Sequence, residues 1–303
     1  MVHYLRHKEI DKAKWDNCIS GSASELIYAF SWYLDIVSPG WDALVEEDYE
    51  TVMPLTWKKK LGIHYLFQPY FTQQLGVFSI NQINKDSVKT FLNEIPGKFK
   101  FIQISLNKSN TPDDSLFDIN LNSNYELVLS PSYDEIYNSY SRNCKRNIKK
   151  AVNEGLTVNS NVSIPQFTGF LKENLEEKLT ELSRDNYLTL ENILKTTIKN
   201  KTGKIYGVFT KENDLCAIGS FLLSSKRCIF SVCASSEYGK SFQAMSLLVN
   251  HEINNNAGKN MIFDFSGSNI KGIAYFNSTF GAKQVEYPNI YRNNLPWFIK
   301  FLK

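Results

Sequence analysis

Long apolar runs are missing from this 303-residue sequence: nowhere do the about 18 consecutive apolar residues of a membrane-spanning helix follow one another. The start, MVHYLRHKEIDKAKW, carries charges where a signal peptide needs an apolar stretch, so a cytoplasmic protein is expected. Cysteines are few and scattered. Cys18, Cys144, Cys216, Cys228 and Cys233 are odd in number and contain no CxxC pair, which argues against a disulfide framework and reads as reduced, buried thiols. His3, His7, His64 and His251 show neither HExxH nor paired ligand spacing, and no metal is expected. A GxSxG turn is also absent, since SGSNIKG from Ser266 does not supply one, which disfavours a Ser-His-Asp hydrolase. Excess charge of one sign is missing too. With 34 basic and 31 acidic residues there is no global attraction to nucleic acid or anionic lipid, so any basic site must be local.

What is present is apolar and aromatic material, 43% and 14% of the chain, ample for packed cores and too much for a disordered chain. Domains cluster at roughly 100 to 200 residues, so two are expected. The first half opens with a strand at 2–6 and helices at 11–19 and 25–37. Alternating strands at 41–46, 50–57 and 63–71 follow, the first two joined by an acidic turn at Glu47 and Asp48. A helix at 85–94 stops at Pro96-Gly97 before the strand FKFIQISL, and residues 107–123 have loop composition. The boundary is placed there, giving domains 1–125 and 126–303. The second half repeats the plan: a helix from Tyr133, a strand at 156–158, and helices within 165–182 and 188–200. KIYGVFT, CAIGSFLLS and RCIFSVCA then form a meander, followed by a helix at 242–254, a strand at 261–265, a helix at 270–280 and a last extended run at 285–291. The expected fold is α/β with two structurally duplicated halves and mixed, mostly antiparallel sheets.

Two segments carry chemistry. In SYDEIYNSYSRNCKRNIKKAVNEG, Ser132 and Glu135 have capping-box spacing and Gly155 stands at the stop. At about 100° per residue, Tyr137, Tyr140, Cys144, Ile148 and Ala151 share one face, while Arg142, Lys145, Arg146 and Lys149 gather opposite. Such a stripe suits phosphates of a nucleotide-linked substrate or tRNA. A solvated surface helix would carry the same charges.

The second segment is ASSEYGKS, Ala234 to Ser241, between a strand and a helix. Gly239, Lys240 and Ser241 fit the end of a P-loop, with Ala234 in place of its first glycine, so a nucleotide hydrolase competes. Against it, too little chain follows Ser241 for the parallel strands of such a domain, and the preceding strands read as an antiparallel meander. A turn of this kind can instead offer helix-terminal N–H groups to a pyrophosphate.

SRNCKRNIKKAVNEG resembles the basic motif of FemABX-type acyltransferases of the GNAT superfamily. FDFSGS with IAYFNSTFGA resembles their closing motif. The likeness covers the C-terminal half and implies tandem GNAT-like domains. By resemblance, Asp264, Ser266, Gly267, Ser268, Tyr275 and Phe276 lie near the chemistry, with Gly239 and Lys240 at the pyrophosphate of coenzyme A. Ser236 and Ser241 stand at the outer positions of the usual pyrophosphate motif, so the donor stays open between acyl-CoA and aminoacyl-tRNA.

Transfer of an acyl group to an amine acceptor needs a base, an oxyanion donor and an acid for the leaving group. Asp264 or, more weakly, Glu237 could be the base, although a strand-end Asp is often a turn cap. Tyr275 could protonate the leaving group, although its spacing with Phe276 and Phe280 suits packing equally. A backbone N–H near Cys233 or Ala234 would hold the oxyanion. An N-acyltransferase is the expected function; a non-catalytic module that binds a nucleotide-linked ligand is the alternative from another class.

Overall fold

The computed structural model describes residues 1–174, 182–267 and 269–296. Its elements begin with β1 (Val2–Leu5), α1 (Lys12–Gly21), α2 (Ser31–Val37), β2 (Asp42–Glu46), β3 (Thr51–Leu55), β4 (Trp57–Lys60) and β5 (Ile63–Phe67). Then come β6 (Phe78–Ser79), α3 (Lys85–Asn93), β7 (Phe99–Ser105) and β8 (Asp118–Val128). The second half holds α4 (Tyr133–Ser139), α5 (Arg142–Glu154), β9 (Thr157–Asn159), α6 (Ile164–Asn174), α7 (Arg184–Lys199), and the meander β10 (Gly203–Phe209), β11 (Leu215–Leu223) and β12 (Arg227–Ser235). It closes with α8 (Glu237–Ser241), α9 (Ala244–Asn256), β13 (Ile262–Asp264), α10 (Lys271–Ser278) and β14 (Lys283–Asn293).

These elements cluster into two units. Met1–Ser123 together with the segment from Val285 onward form the first, and Asn124–Gln284 the second. The expected division had kept all of 126–303 together. Strand β14 instead pairs antiparallel with β7, from Asn289↔Ser105 to Asn293↔Phe101, and Ile290 is fully buried in the first unit's core with Met53, Phe91 and Ile102. In that unit one sheet runs β1-β2-β3-β6, and β4, β5, β7 and β14 follow one another in a second, where β5 and β7 are parallel.

The expected helix over 25–37 shortens to α2, preceded by a 3-10 turn at Ile27–Ala29. Two side chains of α1 impose this. Trp15 Nε1 donates to the Ala29 carbonyl at 2.8 Å, and Asp16 accepts from the Ser31 N–H at 2.7 Å and its hydroxyl at 2.8 Å, fixing a helix start there. Residues 118–123, expected as loop, belong instead to β8.

In the second unit the strands follow β8-β13-β12-β11-β10-β9, with β12–β13 parallel and the other pairs antiparallel. Its core joins Ile148 and Ala151 of α5 to Leu248, Val249 and Ile253 of α9 and to Phe221 and Phe263 of the sheet. The Ser132–Glu135 capping box is present, and Gly155 closes α5 with φ 82°. Between them the single expected helix breaks. Tyr140 is extended (ψ 143°), its ring edge-on to Phe280 at 5.2 Å, and Ser141 starts a new helix by accepting the Cys144 N–H at 3.1 Å. Of the expected helix over 165–182, the described part is α6, Ile164–Asn174; residues 175–181 lie outside the described residues.

Ser141→Ala should therefore lower stability by about 1 kcal/mol, while Ser141→Asp keeps most of it. Urea unfolding followed by circular dichroism reads the difference.

Candidate active site

Strands β12 and β13 pair in parallel only from Arg227↔Ile262 to Ile229↔Asp264. Beyond that point β12 runs on to Ser235, while the chain leaving β13 turns away, and a cleft of about 460 Å³ lies between them. A bulge shapes its β12 wall. Phe221 pairs with Phe230 but Gly219 with Cys233, so Ser220 alone faces Ser231 and Val232. The Ser220 hydroxyl serves the bulged backbone, accepting from the Val232 N–H at 3.0 Å and donating to its carbonyl at 3.2 Å. Phe230 and its neighbour Ser231 consequently both reach the cleft, followed in strand alternation by Cys233 and Ser235. Ala234 points the other way and is buried, paired with Ile218.

The opposite wall is Phe265, Ser266 and Gly267. Its turn puts Ser266 at φ 58° and Gly267 at φ 96°, conformations that favour glycine, so surrounding contacts must hold them. Asp264 Oδ1 accepts the Ser266 N–H at 2.9 Å, and Asn124 Oδ1 accepts the Gly267 N–H at 2.7 Å. Asn124 Nδ2 also donates to Asp264 Oδ1 at 2.8 Å. Behind them Arg227 Nη1 bridges Asp264 Oδ2 and Glu126 Oε1, both at 2.8 Å. Asp264 is 1% exposed. Burial pushes its carboxyl above the ordinary value while Arg227, Asn124 and the Ser266 N–H pull it down. Its oxygens are committed, so the expected base is here the anchor of the cleft wall, a role that also needs Asn124 and Arg227, neither of which the sequence singled out. Their signal is three-dimensional, because Asn124 and Asp264 stand 140 residues apart.

The third side follows β12. Ser236 caps α8 by accepting the Gly239 N–H at 3.2 Å. A Cβ on Gly239 would lie 2.1 Å from the Cys216 carbonyl oxygen, so glycine is required here by close packing against β11. Lys240 pairs with Glu237 at 2.9 Å, and the Glu237 side chain is 90% exposed. Gln243 then adopts φ 62°, its Nε2 donating to the Lys240 carbonyl at 3.1 Å, and starts α9 without any side-chain cap. Gln243, Met245 and Ser246 line the cleft beside this uncapped first turn. The helix terminus facing the cleft is thus that of α9, a few residues past the expected position. The P-loop alternative loses its basis, since β11 and β12 are antiparallel.

Helix α10 closes the cleft with Gly272, Ile273, Phe276 and Asn277. Tyr275, expected as acid or core, is 62% exposed and not among the lining residues. Ser268 lies outside the described residues. The basic stripe is on the face of α5 opposite its buried residues: Arg142, Arg146 and Lys149 are exposed, and Lys145 donates to the Asn138 carbonyl at 3.0 Å. Arg146 bonds Asn143 at 2.6 Å. The helix runs beside the cleft walls, for Ser141 donates to the Thr279 carbonyl just past α10 and Lys150 donates to the Ser241 carbonyl at 2.8 Å. Lys150, next to the stripe but outside its face, was missed; Ser241 contributes that carbonyl and does not line the cleft.

All five cysteines are unpaired, and Cys233 alone is exposed, contrary to the expectation of five buried thiols. It opens onto the cleft, yet the protein packed around its sulfur pushes the thiol up to about 12. Among the described residues no group of His, Cys, Asp or Glu is placed to hold a metal ion, and no helix is long and apolar enough to cross a membrane.

No protein-family model and no curated protein matches the chain. Solved structures do. FemX superposes with TM-score 0.73 at 14% identity over 99% of each chain. A tandem GNAT protein from the clavulanic acid biosynthesis pathway gives 0.57 at 9% identity, covering 98% of this chain and 99% of that one. The C-terminal domain of a protein described as a lysylphosphatidylglycerol synthetase, from Agrobacterium fabrum, gives 0.57 at 8% identity over 93% and 92%. The fold is therefore of the FemABX and GNAT type, tandem and α/β.

Two outcomes follow from the geometry. Asp264→Asn should cost about 3 kcal/mol of stability, because Arg227 loses one of its two buried carboxylates; a dispensable base would leave the unfolding midpoint unchanged. Iodoacetamide on native protein should modify Cys233 before any other cysteine, with a rate still climbing above pH 10, where an ordinary thiol has already levelled off. Peptide mapping by mass spectrometry reads both site and rate.

Proposed function

We propose that the chain is an N-acyltransferase that moves an acyl or aminoacyl group from a CoA- or tRNA-linked donor to an amine, acting in the cytoplasm. The observation that carries this reading is the parting of β12 from β13. Past Ile229 the β13-facing edge of β12 has no strand partner, so main-chain groups there are available to a carbonyl lying in the cleft. The similar proteins keep both donors in view, since the name of one speaks of AcCoA and that of another of lysylphosphatidylglycerol synthesis.

In the proposed reaction the amine lone pair attacks the donor carbonyl carbon. The oxyanion that forms accepts from a β12 N–H near Cys233, and the C–S or C–O bond to the carrier then breaks. The amine loses one proton, the leaving group gains one, and the products are an amide and the free carrier. Carrier phosphates would rest against the uncapped first turn of α9 and Lys240, with Arg142, Arg146 and Lys149 alongside. Cys233 stays a thiol at neutral pH, which favours direct transfer over an acyl-enzyme. Among the described lining residues there is no carboxylate or imidazole to serve as base. Catalysis then rests mainly on positioning, and the amine enters neutral.

The test is incubation with acyl-CoA or aminoacyl-tRNA and a panel of amines. Turnover is expected with kcat/KM rising as the acceptor ammonium loses its proton, without an acid limb from an enzyme carboxylate. Arg142→Ala with Arg146→Ala should raise the donor KM about tenfold and leave kcat nearly unchanged. Absence of binding and turnover with both donor classes sinks the proposal, and salt-dependent binding without turnover would mark a non-catalytic module instead.

A further inference from the structure

The chemistry of the cleft wall bears on which acyl group enters, an inference that rests on the transferase reading above. Five apolar side chains face the space: Phe230 from β12, Phe265 after β13, Met245 from α9, and Ile273 and Phe276 from α10. The polar groups between them are hydroxyls of Ser231, Ser235, Ser246 and Ser266, the Gln243 and Asn277 amides and the Cys233 thiol, all uncharged at neutral pH. Lys240 is the one formally charged lining residue among those described, and it is a cation.

Among the described residues, no carboxylate faces the cleft from any of its walls. Asp264 sits behind Phe265 with its oxygens held by Arg227, Asn124 and the Ser266 N–H. Glu126 is paired to Arg227, and Glu237 points to solvent and pairs with Lys240. An aminoacyl group carries a free ammonium, which would leave water for this space and find no counter-charge on the described lining. The faces of Phe230, Phe265 and Phe276 attract a cation only weakly compared with that loss of hydration. An acetyl group, at the other extreme, is too small to touch most of the five apolar side chains. The apolar surface also continues outward: Ile273 is 43% exposed, and Ile270, at the start of the same helix, 56%.

We infer that the cleft selects an uncharged, apolar acyl group of several carbons, and that aminoacyl groups with a free ammonium are excluded by the wall itself. Phe230, Met245, Phe265, Ile273 and Phe276 are the specificity-determining residues.

Butyryl-CoA and β-alanyl-CoA test this directly, because their acyl groups are the same shape and differ by a terminal methyl against an ammonium. Binding to the full chain is measured by calorimetry and by protection of Cys233 from iodoacetamide, neither of which needs an acceptor or turnover. Butyryl-CoA should bind at least about tenfold tighter than β-alanyl-CoA, and octanoyl-CoA tighter than acetyl-CoA. Ile273→Asp, at a partly exposed position that tolerates a charge, should shrink or invert the butyryl preference. Equal or tighter binding of β-alanyl-CoA, or equal affinities from acetyl to octanoyl, overturns the inference while leaving the transferase reading standing. Failure of CoA and all four thioesters to bind or to protect Cys233 rejects a CoA-linked donor site and this inference with it.

Discussion

The structure around the cleft depends on one interruption: the hydrogen-bonded ladder between β12 and β13 stops at Ile229↔Asp264 although β12 continues. Unpaired main-chain groups are costly inside a protein, so such a gap persists only where both sides are held open. On one side the Ser220 hydroxyl satisfies the bulged Val232 backbone. On the other, Asp264 and Asn124 grip the N–H groups of Ser266 and Gly267, and Arg227 ties Asp264 to Glu126. The charged network is buried and contributes through geometry more than through net attraction, because desolvation offsets much of its Coulomb energy.

Charge is segregated in the same region. The cations of α5 stand on its exposed face, and Lys150 reaches across to the carbonyl end of α8, while the cleft itself is lined almost entirely by neutral groups. Cations in water and an apolar lining favour ligands by different physics, ion pairing and exclusion of water, and the two kinds of surface are kept apart here.

Much of this was legible in the residues. The meander, the capping box at Ser132 and the stop at Gly155 follow from local rules, and Cys233, Gly239, Lys240, Ser266, Gly267 and Phe276 do gather at one cleft. Local rules fail where a distant partner decides. Asp16 and Trp15 cut short the helix expected from Glu25, and Phe280 meets Tyr140 where α4 and α5 separate. Asp264 reads as an available carboxylate until Arg227 and Asn124 are brought to it by strand pairing. Gly239 looks like a phosphate-loop glycine in sequence, yet its missing side chain makes room for the Cys216 carbonyl. Tyr275 has core spacing, yet on α10 it is exposed to solvent.

The return of β14 has a consequence for synthesis. The second unit is one continuous stretch, Asn124–Gln284, set between the two pieces of the first. Ile290 fills the first core only after that whole stretch has left the ribosome. The usual order of vectorial folding, N-terminal domain first, is therefore reversed in its last step. The inserted unit can finish while the leading one still waits, with the β7 edge open to the wrong neighbour, for its closing strand.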